Sequence, residues 1–245
     1  MDASTASGTS RDDGYVEAAV RHLPSQVCFW VVAGAVLWLD LWSKDWAFRA
    51  LASDKIHPII PGIIDFRRSL NAGAVFGSFS GYTSVFIVAS LFALGFVFYL
   101  FAHSRRAQRG LHVALALILA GALGNLYDRA FIIADVVSHN SPSGRREPRI
   151  GKILSEPGAP VIRIGDWPDG ANEQRFSSGT VTVRQQGVVR DFIKFVPKFP
   201  ARVPKLAGQD TWPWVFNVAD AALVCGVAVL LLHTLFDRRP RRRHE

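Results

Sequence analysis

Long uncharged apolar segments constrain this chain more than any other feature of its sequence. Residues 82–102, YTSVFIVASLFALGFVFYLFA, contain no charged side chain. A helix needs about 20 mainly apolar residues to cross the hydrocarbon core of a bilayer. The mean hydropathy of the whole chain, +0.19, is also positive, which is typical of membrane proteins. This segment therefore predicts a transmembrane helix.

Three further apolar blocks lie at residues 26–48, 111–126 and 212–236. Each is long enough to form most or all of a membrane-crossing helix. We therefore predict a membrane protein that is mainly α-helical, with four transmembrane helices. The two cysteines, Cys28 and Cys225, both fall inside these blocks, so we expect neither a disulfide framework nor a cysteine metal site.

Two clusters of basic residues flank the predicted helices. HSRRAQR occupies residues 103–109, and RRPRRR occupies residues 238–243. Cationic residues beside membrane helices mark the cytoplasmic side. We therefore expect both termini in the cytoplasm and the loops 49–81 and 127–211 on the outer side. The net charge of +8 then reflects topology, and we expect no nucleic acid partner.

The chain divides into three parts on this basis. Residues 1–25 form a cytoplasmic N-terminal tail, which lacks the apolar core of a cleavable signal peptide. Residues 26–237 form the membrane domain, and residues 238–245 form a basic cytoplasmic tail.

Polar side chains gather at the outer ends of the predicted helices. Asn125 and Asp128 close the third helix, while Asn217 and Asp220 open the fourth. A charged side chain at the bilayer centre costs at least about 2.5 kcal/mol, so such residues usually face a bundle interior or a wet cavity. A helix cap would explain one of them but not the whole set. We therefore predict a site at the outer membrane surface.

Asp40 and Lys44 lie four residues apart on one face of the first predicted helix. We expect them to form an ion pair near the outer interface. Gly121, on the third helix, would allow the backbone of another helix to approach closely.

Asp191 is a second carboxylate of interest, in the apolar stretch GVVRDFI at residues 187–193. Alone, an aspartate beside an arginine is typical of a surface ion pair. Two carboxyl groups in a half-dry pocket cannot both ionise cheaply, so one keeps a proton while the other acts as a base. Such a pair, here Asp191 and Asp220, can activate water for attack on an amide.

Four short motifs occur in order along the chain. They are NAGAVFG at residues 71–77, AGALGNLYDR at 120–129, VRDF at 189–192 and FNVAD at 216–220. Together they resemble the NxGxxF, GNxxDR, VVDF and FNxAD segments of signal peptidase II, the bacterial lipoprotein signal peptidase family. The pair Asp40 and Lys44 resembles the D…K of its first helix.

The resemblance covers residues 27–135 and 187–237 and implies an aspartyl endopeptidase of the bacterial inner membrane. Such enzymes remove signal peptides from prolipoproteins by cutting just before a diacylglyceryl-modified cysteine, so the implied partners are these substrates and membrane lipids. The resemblance implies no metal and no organic cofactor. We also expect a monomer with its active site near the outer face.

Residue roles follow from the resemblance by position. Asp191 and Asp220 would be the catalytic pair. Four residues would line the site and bind the substrate: Asn71, Asn125, Arg129 and Asn217. Five residues would orient or support them: Asp40, Lys44, Gly73, Gly121 and Asp128.

The chain departs from the family pattern at Arg190, where the family has valine. A cation pointing inward would lower the pKa of Asp191 and favour its ionised form. On a strand, neighbouring side chains point to opposite faces, and we expect that arrangement here.

A second departure is an insert at about residues 132–186, where the family has a short connection. VIRI at 161–164 and TVTVR at 180–184 alternate as short strands do, whereas SHNSPSGRREP at 138–148 is typical of a polar loop. We therefore predict a small β-rich cradle outside the membrane. The insert also makes Asp135 an alternative catalytic residue, although Asp135 lacks a following Phe.

Two other classes of protein place carboxylates in a helix bundle. A proton-coupled carrier usually contains internal repeats and broken helices near the midplane, and no repeat is visible here. A non-catalytic scaffold would not need Asp191 and Asp220 together with the asparagines. Neither alternative has peptidase activity. Loss of such activity when either aspartate is changed, with the fold retained, would therefore distinguish a peptidase from both.

Overall fold

The structure is a computed structural model that describes residues 18–53, 55–73, 83–140 and 146–236. Its four helices are α1, Leu23–Ala50; α2, Thr83–His103; α3, Arg109–Phe131; and α4, Val218–Phe236. The tails at 1–17 and 237–245, and residues 74–77 that complete the NAGAVFG motif, lie outside the described residues.

Three of these helices, α1, α3 and α4, are long and apolar enough to cross a membrane. The described apolar part of α2, Ile87–His103, is shorter. The structure thus gives three candidate spans rather than the four that we predicted, because the side chains at the start of α2 lie outside the described residues. Many large apolar side chains of the helices face outward, which suits a lipid environment: Trp30, Trp38, Phe92, Phe96, Leu231 and Leu235.

Asn217 and Asp220 lie at the start of the last helix as predicted, although the apolar block that indicated this helix begins earlier, at residue 212. Helix α4 begins at Val218, and the preceding Val215–Phe216 form a short strand. The third helix is longer than predicted and continues past Leu126 to Phe131. This extension places Asp128 and Arg129 in its last turn.

Helix α3 lies at the centre of the bundle and contacts α1, α2 and α4. Small residues allow the close approach of α4. A Cβ atom on Gly121 would lie 2.4 Å from the Ala219 carbonyl oxygen, and one on Gly226 would lie 2.8 Å from the Ala114 carbonyl oxygen. The hydrophobic effect does not drive helix association in lipid. Because these glycines have no side chains, the two backbones approach closely and gain dispersion contacts instead.

A four-stranded antiparallel sheet lies against the ends of the helices. Its strands are β1, His57–Ile60; β2, Ile64–Asn71; β8, Val189–Phe195; and β9, Val215–Phe216. They are ordered β1-β2-β8-β9. Phe192 of β8 packs with Ala47 and Phe48 of α1, so this sheet is held on the bundle by an apolar contact.

A second antiparallel sheet is formed by the chain between α3 and β8. Its strands are β3, Ile133–Asn140; β4, Arg146–Ile153; β5, Val161–Gly165; β6, Gln174–Ser177; and β7, Val181–Gly187. Their order is β6-β5-β4-β3-β7. Strands thus occur at both predicted places, 161–164 and 180–184.

The predicted polar loop at 138–148 was wrong in its extent. Strand β3 continues to Asn140 and β4 begins at Arg146, with Ser138 paired to Pro148 and His139 to Glu147. Cross-strand pairing therefore outweighs the polar, turn-rich composition of this segment.

Candidate active site

Asn217 and Asp220 form a reciprocal cap at the start of α4. The Asp220 backbone N–H donates to Asn217 Oδ1 at 2.9 Å, and the Asn217 backbone N–H donates to Asp220 Oδ2 at 3.3 Å. This is the capping-box pattern, in which the N-cap residue and the third helical residue satisfy each other's donors. FNVAD is therefore first a helix start, and the cap holds both side chains in fixed positions.

The same two side chains also face α3. Asn125 Nδ2 donates to Asp220 Oδ1 at 2.8 Å, and Asn217 Nδ2 contacts Asn125 Oδ1 at 3.1 Å. Asn217 Nδ2 also donates to Asp191 Oδ1 at 2.6 Å. A chain of amides thus connects Asp191 on β8 with Asp220 on α4.

Asn71 reaches Asp191 from the end of strand β2. Its Oδ1 accepts the Gly73 backbone N–H at 2.9 Å, which orients the amide, and its Nδ2 lies 3.3 Å from Asp191 Oδ2. Gly73 has φ +83°, a conformation that residues other than glycine rarely adopt. The glycine turn therefore fixes the amide that contacts the carboxyl group.

Burial first, and then the negative charge of Asp220, raise the pKa of Asp191, which lies at about 8. The amides of Asn217 and Asn71 oppose this effect because they donate to the carboxylate. The Asp191 side chain is buried, while Asp220 is only half-buried. Two neighbouring carboxyl groups in such different surroundings are suited to opposite roles, one protonated and one ionised.

A buried ionic network lies directly beneath this pair. Lys44 Nζ lies 2.7 Å from Asp40 Oδ2, 3.2 Å from Asn125 Oδ1 and 3.6 Å from Asp128 Oδ2. The side chains of Asp40, Lys44 and Asp128 are fully buried. The predicted ion pair between Asp40 and Lys44 is confirmed, and the network extends beyond it to α3.

Asp40 also connects α1 to the start of α4. Its Oδ1 accepts the backbone N–H of Ala219 at 2.8 Å. A carboxylate at a helix N-terminus satisfies a free donor and interacts favourably with the helix dipole. Asp40 therefore supports the helix end that carries Asp220.

Arg190 contacts Asp128 and not the catalytic candidate next to it. Arg190 Nη2 lies 2.8 Å from Asp128 Oδ1, and the Arg190 backbone N–H donates to Asp128 Oδ2 at 2.9 Å. The two neighbouring residues therefore use opposite faces of β8, as expected for a strand. This pairing fixes β8 against the end of α3.

Arg129 lies within electrostatic range of Asp220, Asp191 and Asp128. It is the only cation among these site residues with a partly exposed side chain, because Lys44 and Arg190 are buried. Gly187 packs so close to the Arg129 carbonyl that a Cβ atom would lie 1.8 Å from its oxygen. This contact holds the end of α3 against the second sheet.

Asp135, the alternative catalytic residue, has partners inside the second sheet. Its carboxylate accepts the Ile153 backbone N–H at 2.7 Å and the Gln185 amide at 3.0 Å. The described contacts thus bring Asp191, and not Asp135, to the asparagines beside Asp220.

An apolar groove of about 400 Å³ opens beside Asp220. Its walls are side chains of α4, of the loop before it and of strands β8 and β9: Phe195, Thr211, Trp212, Phe216, Ala221, Val224 and Cys225. Both cysteines are free. In the described part of the chain, no group of three His, Cys, Asp or Glu residues is arranged to bind a metal ion.

Two contacts of the site were missed by the sequence analysis. Asp40 contacts the start of α4, and Asp128 contacts Arg190 where we expected it to orient Arg129 or its neighbours. The arginine at the valine position of VVDF was the available signal, because a buried arginine needs an anionic partner.

Comparisons with solved structures support the fold. A bacterial membrane enzyme determined by the in meso method matches with a TM-score of 0.55 and 19% identity, over 89% of this chain and 93% of that chain. A second structure with the same description matches with a TM-score of 0.54 and 20% identity, over 85% and 93%.

Comparisons with known sequences support the family. A lipoprotein signal peptidase from Clostridium novyi is 38% identical over 93 residues, which are 38% of this chain and 63% of that protein. One from Desulfitobacterium hafniense is 25% identical over 88% of this chain and 98% of that protein. The family description signal peptidase (SPase) II matches residues 32–236. Given this match over most of the chain, together with the shared fold, the chain belongs to the signal peptidase II family.

Proposed function

We propose that this protein is an aspartic endopeptidase that removes the signal peptide from prolipoproteins, cutting on the N-terminal side of a diacylglyceryl-modified cysteine. Family membership supports the substrate class. The single observation that carries the aspartic chemistry is the link from Asp191 through the amides of Asn217 and Asn125 to Asp220.

The two aspartates take opposite parts in the reaction. Asp220 lies in the first turn of α4 and accepts hydrogen bonds from two donors, which position its carboxylate to serve as the base. Asp191 holds the proton at neutral pH because its pKa is raised to about 8. Asp220 takes a proton from water, whose oxygen attacks the peptide carbonyl carbon, while Asp191 donates its proton to the carbonyl oxygen.

Collapse of the resulting tetrahedral intermediate breaks the C–N bond. The proton on Asp220 passes to the leaving nitrogen, and Asp191 recovers its proton from the intermediate's hydroxyl group. The pair therefore returns to its starting state with one proton shared between the two groups. No other titratable group has to change its charge.

The asparagines and Arg129 bind the substrate around this pair. Asn71 and Asn217 fix the Asp191 carboxyl, and Asn125 fixes Asp220. Arg129, whose side chain is partly exposed, is placed to contact a substrate carbonyl. Correct placement of the peptide bond accounts for much of the rate enhancement in such a site.

The apolar groove beside Asp220 is suited to an acyl chain of the modified cysteine. Its walls are almost entirely apolar, it lies along α4, and its volume of about 400 Å³ is typical of ligand pockets. A lipid anchored there would bring the adjacent peptide bond to Asp220. Membrane lipids surround the same face of the helix.

We place the protein in the bacterial inner membrane with four spans, both termini in the cytoplasm and the active site near the outer face. The basic cluster at residues 103–109 supports this orientation, because it lies between α2 and α3 at the opposite end of α3 from Asn125. A monomer suffices, since one chain supplies every residue of the site.

The decisive experiment measures cleavage of a diacylglyceryl-modified prolipoprotein by purified wild type and by Asp191→Asn, Asp220→Asn and Asp135→Asn. We expect both dyad variants to lose at least about 10³-fold in kcat while remaining folded, and Asp135→Asn to keep most activity. Retained activity in Asp191→Asn together with loss in Asp135→Asn would assign the second aspartate to β3. A wild type that cleaves nothing would favour a carrier or a scaffold.

A further inference from the structure

A polar cavity of about 460 Å³ lies apart from the aspartates, between the two sheets. One wall is formed by Arg68, Ser69 and Leu70 of β2, and the facing wall by Pro148, Arg149 and Ile150 of β4. Phe48 and Ser53, at and beyond the end of α1, also line it. The cavity therefore lies at the end of the helices, beyond the apolar bundle.

Both strands that line this cavity have an unpaired edge. Strand β1 pairs with β2 only as far as Phe66, so on the side away from β8 no described strand pairs with residues 67–71. Strand β5 pairs with β4 only at Lys152 and Ile153, so residues 146–151 likewise lack a described partner on the side away from β3. Unpaired edges of this kind accept an added strand.

The two edges are not equivalent. Strand β4 carries Pro148, which has no backbone N–H, and proline is a common means of blocking an edge. Strand β2 has no proline between residues 64 and 71. The free edge of β2 is therefore the better template for a peptide.

The cavity is held open by polar contacts of the loop at residues 166–174. Arg68 Nη2 lies 3.1 Å from Asp169 Oδ2, Arg149 Nη2 contacts Asp166, and Asn172 Nδ2 donates to Ser53 Oγ at 3.0 Å. The Nε groups of Arg68 and Arg149 have no hydrogen-bond partner among the described residues. The Arg68 side chain is only 6% exposed, and buried donors of this kind usually have an acceptor.

Strand β2 connects the cavity to the active site. Ser69 pairs with Asp191 in register, and Asn71 contacts the Asp191 carboxyl. Three residues separate Arg68 from Asn71, which corresponds to about 10 Å of strand. A peptide leaving the aspartates in an extended conformation therefore reaches the cavity within about three residues.

We propose that this cavity binds the polypeptide that follows the modified cysteine, as an extended segment added to the free edge of β2 at residues 67–70. This inference rests on the proposed function. The signal peptide lies in the membrane on one side of the cleaved bond, so only the mature segment extends toward a polar cavity beyond the helices. Main-chain hydrogen bonds select an extended conformation there, with little demand on sequence.

The test compares two diacylglyceryl-modified substrates with the same signal peptide. The short one ends one residue after the modified cysteine as an amide, and the long one continues for eight residues. We expect wild type to have a KM about tenfold lower for the long substrate, with similar kcat. N-methylation of every second backbone nitrogen in the added segment removes hydrogen-bond donors, and either the odd or the even positions can be methylated. We expect one of these two sets, the one that donates to β2, to raise KM to the value of the short substrate.

A matched pair of variants tests the location. Ser53→Trp fills the cavity and should remove the difference between the substrates without changing KM for the short one. Ser178→Trp makes the same change at an exposed position outside the cavity and should preserve the difference. Equal KM values in wild type, or an equal rise for both substrates in Ser53→Trp, would overturn the inference alone. Failure to cleave either substrate would overturn the proposed function and the inference with it.

Crosslinking provides a readout that does not need activity. In a chain with Cys28→Ser, Cys225→Ser, Asp220→Asn and Ser53→Cys, a thiol is placed at successive positions after the modified cysteine of the long substrate. We expect disulfide formation to peak about three to five residues after it. Uniform crosslinking along the segment would exclude an ordered strand in the cavity.

Discussion

Asparagine side chains form hydrogen bonds with both carboxyl groups of the site. Asn217 contacts Asp191, Asn125 contacts Asp220, and the two amides contact each other. A neutral amide can donate to one carboxyl group and accept from another donor, without neutralising either charge. This arrangement keeps the pair able to share one proton.

The first prediction at the residue scale concerns pH. The pKa of Asp191 is raised to about 8, so its proton is present below that pH and is lost as the pH rises through it. We expect kcat/KM to fall on the alkaline side with an apparent pKa near 8 that belongs to the pair. Asn71→Ala removes a donor to the carboxylate, so it should move this limb to higher pH.

The measurement is the full pH profile of kcat/KM for wild type and Asn71→Ala. Asn172→Ala serves as the control, because Asn172 donates to Ser53 and Asp166 and not to Asp191. An alkaline limb that moves to lower pH in Asn71→Ala would contradict the assignment of Asp191 as the protonated member.

The second residue-scale prediction concerns Lys44. Its removal in Lys44→Met leaves Asp40 without a cation in a fully buried position. We expect the free energy of unfolding to fall by about 3–5 kcal/mol, the usual cost of breaking a buried pair from one side. Arg49→Met, which breaks the exposed Asp45–Arg49 pair on the same helix, should cost less than about 1 kcal/mol.

Chemical denaturation in detergent micelles would measure both variants. The double variant Asp40→Asn, Lys44→Met should recover part of the loss, because no uncompensated charge remains at residue 40. A loss in Lys44→Met no larger than that in Arg49→Met would show that the network contributes little to stability.

At the scale of elements, the site depends on the distance between α3 and α4. Asn125 and Asp220 lie on different helices, and their contact of 2.8 Å requires the close approach at Gly121. The packing of α3 against α4 therefore also sets the distance between Asn125 and Asp220.

Gly121→Ala tests this dependence. The new Cβ would lie 2.4 Å from the Ala219 carbonyl oxygen, so the helices must separate. We expect a loss of about 1–3 kcal/mol in stability and a lower kcat, because the Asn125 amide moves away from Asp220. Gly95→Ala, where a Cβ meets nothing within 4 Å, should leave kcat unchanged.

Kinetics and thermal unfolding of the two variants provide the comparison. Equal kcat values for Gly121→Ala and wild type would mean that the site adjusts to the wider helix spacing.

At the scale of the whole molecule, the apolar bundle faces lipid and the two sheets lie at one of its ends. The exposed surface of the helices is rich in large apolar side chains, whereas the second sheet carries ion pairs such as Arg163–Glu173 at 2.6 Å. This division separates a lipid-soluble half from a water-soluble half. The aspartates lie at the boundary between them.

The proposed orientation predicts which positions react with an impermeant maleimide. In a chain with Cys28→Ser and Cys225→Ser, Ser178→Cys, in the connection between β6 and β7, should react in intact spheroplasts. Arg105→Cys, between α2 and α3, should react only after permeabilisation, because the proposed orientation puts that loop in the cytoplasm. The reverse pattern would invert the topology.

Several features of this molecule were determined by the sequence alone. The apolar blocks, among them residues 82–102 and 212–236, predicted helices. A chain in lipid must satisfy its backbone hydrogen bonds locally, and a helix does so within one segment. Asn217 and Asp220 are three positions apart and cap the last helix by bonding to each other, so the cap depends on a short stretch of sequence only. The alternation of apolar and polar side chains at residues 161–164 also predicted a strand, because such a pattern involves only neighbouring residues.

The tertiary structure alone decided which polar residues meet. Asn125 and Asp220 are 95 positions apart in sequence, and Asp40 reaches Ala219 across 179 positions. Burial in the assembled bundle raises the pKa of Asp191, while Asp135 is used inside a sheet. Such outcomes depend on packing between distant segments, whose free energy is not encoded in any local pattern.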